Sequence, residues 1–343
     1  MDDIKNFTLK ELELLLKGWG APGFCAGQIF SWIYKKGAAD FQEMTNLPQE
    51  LRRRLGEKFY IFGLQLAKHL VSTDGTEKFL LELRGGSLIE AVAIPAGKRV
   101  TVCISTQAGC KFACSFCASG LGGFKGNLSA GEIIEQVLYL KKHSRQKKIT
   151  HIVFMGSGEP LDNYDNLLAA ARIINSPEGL EVGARRITIS TCGIIPGIRR
   201  LAEEGMQIEL SVSLHAADER TRSRLMPINK KYPLRGLIGA CKEYIERTGR
   251  QITFEYILLK GINSSLQSAR KLVIILKGLK LAKVNLISSN PVKELGAEPP
   301  DRAEVGVFKE YLLKHGLNVT LRRPRGQDIE AACGQLRLRH ERK

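Results

Sequence analysis

Three thiols stand within eight residues, at Cys110, Cys114 and Cys117, directly after the apolar run Val100-Thr-Val-Cys-Ile-Ser105. Cysteines at this density bind metal or pair with one another. In a chain of cytosolic character pairing is the weaker choice. A structural zinc site takes four ligands, usually as two separated cysteine pairs, and this stretch supplies three cysteines and no histidine. A cubane iron–sulfur cluster has four irons, normally with one cysteine each. Three cysteines would leave one iron open to a substrate-like ligand; a zinc knuckle is the competing reading. Phe112 and Phe116, between the thiols, suit a dry shell around a cluster and suit a packed core equally well.

The elements that must position this loop follow from periodicity. Residues 1–62 read as a small helical unit, with apolar residues at helical spacing over 9–17, 26–36 and 48–59. A hairpin follows in 63–98: Glu77-Lys-Phe-Leu-Leu-Glu-Leu and Leu88-Ile-Glu-Ala-Val-Ala-Ile flank the turn Arg84-Gly-Gly-Ser87. On alternation alone Glu90 is an outward-facing carboxylate of a half-exposed strand. From 99 to 343, strands near 100–105, 150–155, 186–190, 208–214, 253–259, 284–288 and 318–322 alternate with helical stretches near 131–143, 163–174, 197–204, 234–248, 265–278 and 301–315. This rhythm argues parallel βα units. Six main repeats fall short of the eight that close a full barrel, so an α/β fold with a partial (βα)6 TIM-like barrel is expected, preceded by the helical domain and the hairpin extension.

In such folds ligands gather where strands end and loops begin. The second barrel strand leads into Met155-Gly-Ser-Gly158-Glu159-Pro160, where glycines admit close approach of a ligand and Glu159 can accept from a cationic amino group. The third leads into Ser190-Thr-Cys192-Gly193, the fourth into Ser213-Leu214-His215 and the sixth into Ser288-Ser-Asn290-Pro291. Each is weak alone; four polar strand ends in register with a cysteine loop point to one site. In the tail, Cys333 lies beside a glycine, and local sequence leaves it either a buried inert thiol or a functional one.

Composition narrows the setting. The chain has 343 residues, 52 Lys and Arg against 35 Asp and Glu, and a net charge of +17. Such an excess favours a polyanionic partner, since each neutralised phosphate releases counterions; a merely basic enzyme is the plainer alternative. Lys35-Lys36 and Arg52-Arg53-Arg54 cluster in the helical unit, either as a solvated face or as contacts to an RNA backbone. No apolar run approaches the ~20 residues that span a membrane, and the polar N-terminus is no secretory signal. A cytoplasmic protein is expected.

Longer motifs add a resemblance. Gln28-Ile-Phe-Ser-Trp-Ile-Tyr, Ser105-Thr-Gln-Ala-Gly-Cys110, Ser213-Leu-His-Ala, Leu225-Met-Pro-Ile-Asn-Lys-Lys-Tyr-Pro-Leu and Asp328-Ile-Glu-Ala-Ala-Cys-Gly-Gln-Leu resemble the RlmN/Cfr family of radical S-adenosylmethionine (SAM) RNA methyltransferases, over nearly the whole chain and on its RlmN branch. The resemblance implies a [4Fe–4S] cluster on Cys110, Cys114 and Cys117, with SAM on the open iron. It implies SAM contacts from Gly158, Glu159, Ser190, Ser213, Leu214, His215 and Asn290. It also implies that Cys333 becomes S-methylated, that Cys103 is its disulfide partner, and that Glu90 is the base. The substrates would be an adenosine in 23S rRNA and a tRNA adenosine beside the anticodon, methylated at carbon 2. An external electron donor of flavodoxin or ferredoxin type and a monomeric state complete the expectation. Three positions depart from the family pattern: Ser157 for a commoner methionine, Cys192 for a frequent serine and Gly126 for a common arginine.

The chemistry explains why such residues are needed. Adenine C2, between two ring nitrogens, is electrophilic, so the methyl group of SAM cannot attack it directly. A thiolate is a suitable carrier. One SAM would methylate Cys333, and a second, cleaved reductively, would turn that methyl into a carbon radical that adds to the base. Thiol attack by Cys103 would then release the product. The rival readings are a Cfr-type enzyme acting at carbon 8 and a non-catalytic, zinc-dependent RNA-binding protein.

Overall fold

The computed structural model describes residues 1–146, 148–288, 298–322, 325–329, 337 and 340. Ten strands form one sheet: β1 Gln65–Val71, β2 Glu77–Glu82, β3 Leu88–Ala96, β4 Arg99–Cys103, β5 His151–Phe154, β6 Ile187–Thr191, β7 Glu209–Ser213, β8 Ile252–Leu258, β9 Ala282–Ser288 and β10 Asn318–Arg322. Their order across the sheet is their order along the chain. The pairings from β1 to β4 are antiparallel and those from β4 to β10 parallel. The sheet ends on β1 and β10, so the barrel is open, as the repeat count predicted. The hairpin of the sequence reading is part of this same sheet.

Among the described residues ten α-helices accompany it: α1 Leu9–Gly18, α2 Phe24–Phe30, α3 Gln49–Lys58, α4 Ala130–His143, α5 Tyr164–Asn175, α6 Ile195–Leu201, α7 Glu219–Leu225, α8 Leu234–Thr248, α9 Leu266–Leu276 and α10 Arg302–Lys314. A π-helical turn, Ser31–Lys36, continues α2. The capping box at Ser129 and Glu132 forms and starts α4. The N-terminal helices are tied to the barrel through Lys5, fully buried and paired with Glu135 of α4, and through Asn6, which accepts the Gly131 amide at 2.8 Å.

Parallel strands covered on both faces usually read as unbroken apolar runs. Here they alternate, and the register shows why. Ile187 and Ile189 of β6 are fully buried in the hydrophobic core, as are Leu210 and Val212 of β7 and Phe254 and Tyr256 of β8. The opposite face carries Ser190 beside Ser211, Ser213 beside Glu255, Glu255 beside Asn285, and Asn285 beside Thr320. One face therefore packs on the helices while the other lines a polar hollow.

Several elements escape the sequence reading. Strand β1 is mostly exposed, lies at the sheet edge, and carries Lys68 after an irregularity at Leu66; such edges blunt their own pairing and lose the apolar signature of a strand. Helix α7 is short and holds three arginines at alternate positions, which suppress an amphipathic pattern. A small hairpin, Gln107–Gly109 with Phe124–Asn127, frames the cysteine loop.

Candidate active site

A cavity of about 260 Å³ opens at the carboxyl ends of β5 to β9. Cys110, Cys114 and Cys117 stand on one wall, and Gly158, Glu159, Ser190, Ser213 and His215 on the other. Leu214 is fully buried behind this wall. Asn290 and Cys333 lie outside the described residues.

The cysteine loop is held by backbone. The Cys110 amide donates to Gly123 O at 3.2 Å and the Ser115 amide to Leu225 O at 2.9 Å. At Gly109 the backbone takes φ +80°, and a Cβ there would fall 1.8 Å from Gly123 O, so only glycine closes this loop. All three thiols are half-buried. Burial pushes the Cys110 thiol up to about 11, with Cys117, Glu159 and Asp162 adding repulsion. Burial, then Cys117 and Cys110, raises Cys114 still further. A coordinating metal deprotonates its thiols outright, so a cationic centre would offset the burial and mutual repulsion that raise Cys110 and Cys114. Among the described residues no three His, Cys, Asp or Glu side chains converge on a single ion. Soft sulfur donors with no histidine suit an iron–sulfur cluster, each cysteine on its own iron. Phe112 and Phe116 line the same cavity.

The facing wall is built around Glu159. Its Oε2 accepts the Cys192 amide at 2.6 Å and its Oε1 the Leu161 amide at 3.0 Å, while its own amide donates to Gln107 Oε1 at 2.9 Å. Burial raises its carboxyl above the ordinary range despite these bonds. The glycines beside it are steric necessities. Cβ atoms at Gly156 and Gly158 would lie 2.7 Å from Ile104 backbone and 2.5 Å from Gln107 Cβ. Ser157, the first departure, is buried with its amide donating to Ser105 Oγ at 2.9 Å, so the changed side chain leaves the turn intact. At Gly126 an added Cβ would meet nothing within 4 Å, so the missing arginine leaves a gap rather than a changed fold.

His215 has a left-handed backbone, φ +55°. Its Nδ1 accepts the Ile257 amide at 3.1 Å, which fixes the proton on Nε2, and its ring meets that of Phe116 edge to face. Burial, aided by Arg222, depresses it to about 3, so the ring is neutral at physiological pH.

Two groups missed in the sequence support this wall. Arg222 is fully buried and donates to Cys192 O at 2.7 Å, Asn229 Oδ1 at 2.8 Å, and Leu214 O and Ser213 O at 3.3 Å; it ties the ends of β6 and β7 together. Glu255 lines the cavity floor with Arg322 and accepts from Asn285 at 2.8 Å; burial raises its carboxyl. Alternating arginines and an isolated mid-strand glutamate give no sequence signal for either role.

Glu90 corrects the alternation reading: it is not outward-facing but 3% exposed. Val92 pairs directly with Cys103, and directly opposed residues share a face; Glu90, two residues from Val92, points the same way. Glu90 Oε2 lies 3.1 Å from Lys78 Nζ. The described tail residues meet these elements. Asp328 accepts from Ser72 Oγ at 2.5 Å and from the Thr73 amide at 3.0 Å. The Arg337 amide donates to Glu90 Oε1 at 2.7 Å, and its guanidinium donates to Ser119 O, just past the cysteine loop, at 3.2 Å.

An open parallel α/β barrel with a three-cysteine loop after its first parallel strand is a radical SAM enzyme. Residues 104–273 match the radical SAM superfamily, and residues 2–61 match the ribosomal RNA large subunit methyltransferase N-terminal domain. The crystal structure of a radical SAM methyltransferase from Sphaerobacter thermophilus superposes with a TM-score of 0.91 at 42% identity, covering 98% of this chain and 99% of that one. A "probable dual-specificity RNA methyltransferase RlmN" from Pelotomaculum thermopropionicum is 49% identical over 98% of this chain and 91% of its own length. One from Geobacillus kaustophilus is 48% identical over 99% and 93%. The chain belongs to the RlmN family of radical SAM RNA methyltransferases, and with it uses a [4Fe–4S] cluster and SAM.

Proposed function

We propose that this enzyme methylates carbon 2 of an adenosine in 23S rRNA and of a tRNA adenosine next to the anticodon, with Cys333 as methyl carrier and two SAM molecules per turnover. The observation that carries it is the docking of Arg337, which joins Glu90 to the end of the cysteine loop four residues beyond Cys333. The resemblance supplies the position on the base, and the net charge of +17 supports a polyanionic substrate.

Cys110, Cys114 and Cys117 would hold the cluster, which when bound supplies the electron that splits SAM. Glu159, Ser190, Ser213 and His215 line the cavity where SAM would lie, with Asn290 added on the resemblance. Cys333 loses its thiol proton and takes the first methyl group. That methyl would give up a hydrogen atom to the deoxyadenosyl radical cut from the second SAM, and its carbon would join C2 of the adenine. Once the adduct has returned one electron to the oxidised cluster, Glu90 would take the C2 proton. Cys103 then attacks the Cys333 sulfur; a disulfide forms, the S–C bond breaks with its electron pair left on carbon, and a proton completes the new methyl group. The target base must leave its stack, at a cost of a few kcal/mol.

Among the described residues no helix is long and apolar enough to cross a membrane, which agrees with a cytoplasmic place of action. A monomer reduced by a flavodoxin- or ferredoxin-type donor completes the reading. The test is anaerobic turnover with RNA, followed by nucleoside mass spectrometry. The expected product is 2-methyladenosine; 8-methyladenosine would instead support the Cfr-type reading. Cys103→Ala should trap a covalent RNA–protein species and Cys333→Ala neither adduct nor product. Equal, adduct-free inactivity of both overturns the roles given to the two thiols.

A further inference from the structure

We propose that Lys78 is the positioning residue of Glu90, an inference that rests on Glu90 being the base of the reading above. Lys78 pairs directly with Val92, and Val92 with Cys103, so one row across β2, β3 and β4 puts all three on the same face. Glu90 shares that face, and the Lys78 ammonium reaches it diagonally, 3.1 Å from Oε2. The Arg337 amide holds Oε1 at 2.7 Å. The side chains of Lys78 and Glu90 are 0% and 2% exposed.

A lysine is almost never buried this fully without a partner, and register aims it here. Its neighbours Glu77 and Phe79 take the opposite face, where Glu77 accepts from Ser144 Oγ and the Arg145 amide and Phe79 stacks on His69. Stability is a poor reason for keeping the pair, because two apolar side chains of similar volume commonly do as well in a core. What the pair adds is a carboxylate with both oxygens held, and therefore a fixed plane, on the face that also carries Cys103. With the ammonium removed, Oε2 loses the charge that fixes its direction, and the carboxylate no longer presents a set plane to the C2 proton.

The experiment compares Glu90→Gln, Lys78→Met and Lys78→Arg in single-turnover assays of the cluster-loaded enzyme. Three quantities are read: Cys333 methylation by intact-protein mass spectrometry, the covalent RNA adduct on denaturing gels, and methylated product. Lys78→Met is expected to methylate Cys333 to at least half the wild-type extent, accumulate adduct as Glu90→Gln does, and lose product by about 100-fold, the ordinary worth of a positioned base. Lys78→Arg is expected to recover a substantial part of the product and to lower the adduct. The inference is overturned if Lys78→Met makes product at the wild-type rate without adduct. It is equally overturned if Cys333 methylation falls as far as product does, which marks a merely structural lysine. If Glu90→Gln itself turns over without adduct, the base assignment fails and the role of Lys78 with it. Trapping by Glu90→Gln but not by Lys78→Met removes only the present inference.

Discussion

Beyond the carboxyl end of β5 the acidic group at the cavity, Glu159, is carried by a loop, whereas β2 to β4 hold Lys78, Glu90 and Cys103 within strands. The first region fixes Glu159 with backbone amides from Leu161 and Cys192 and makes room with glycines that nothing larger can replace. The second fixes Glu90 with an opposite charge, Lys78, on the neighbouring strand. Loops can aim their own amides at a carboxylate, but a strand has already committed its amides to the ladder, so a buried charge within a strand must find a side chain or another segment. The same sheet face therefore solves one electrostatic problem in two ways.

Substitutions separate the two. The largest effect is expected at the loop between them: Cys114→Ala should abolish turnover and lower iron to well below about four per chain, read by iron analysis and absorbance near ~400 nm. Next, Glu90→Leu should destabilise the fold by about 3–5 kcal/mol, because it removes the carboxylate paired with a fully buried ammonium. The double variant Lys78→Met/Glu90→Leu should recover at least half of that loss; urea midpoints check both, and a double variant no better than the single breaks the contrast. Gly158→Ala should cost about 1–3 kcal/mol, from its left-handed backbone and the clash with Gln107. It should also weaken SAM binding in equilibrium dialysis, with no second substitution expected to restore it so simply.

The smallest effect concerns pH. His215 is held at about 3 against an ordinary 6.5, so between these values the unfolded chain binds a proton that the native chain refuses. Stability from this residue is intact above pH 6.5 and is lost as pH falls, by up to about 1.4 kcal/mol per unit. His215→Gln should therefore flatten the pH dependence of the urea midpoint between pH 6 and 4 by roughly 1 kcal/mol per unit. An unchanged slope would mean that the ring is protonated in the folded protein.

The same contrast explains what could be read in advance. The cysteine loop and the Gly158-Glu159 turn are legible because loop sites write their geometry into spacing and glycine. The barrel is legible because its apolar strands alternate with well-capped helices, and helix α4 begins at the expected capping box. Glu90 is not legible from its strand. In Leu88-Ile-Glu-Ala-Val-Ala-Ile both faces are apolar, and only the register with Leu80 and Cys103 decides which way the carboxylate points. Lys78 fails for the same reason: in Glu77-Lys-Phe-Leu it reads as a solvated strand residue until its partner strand is known. Arg222 hides among alternating arginines, and its role depends on carbonyls 8 and 30 residues away. Charge pairing between strands is a property of topology, and a single sequence does not display it.

Strand order in space equals strand order in sequence, which bears on how the molecule is made. Each newly synthesised strand finds its partner already laid down beside it, so the ribbon can lengthen one edge at a time as the chain emerges, without long searches for distant neighbours. The growing edge is always the most recent strand, and it stays open until the next one arrives.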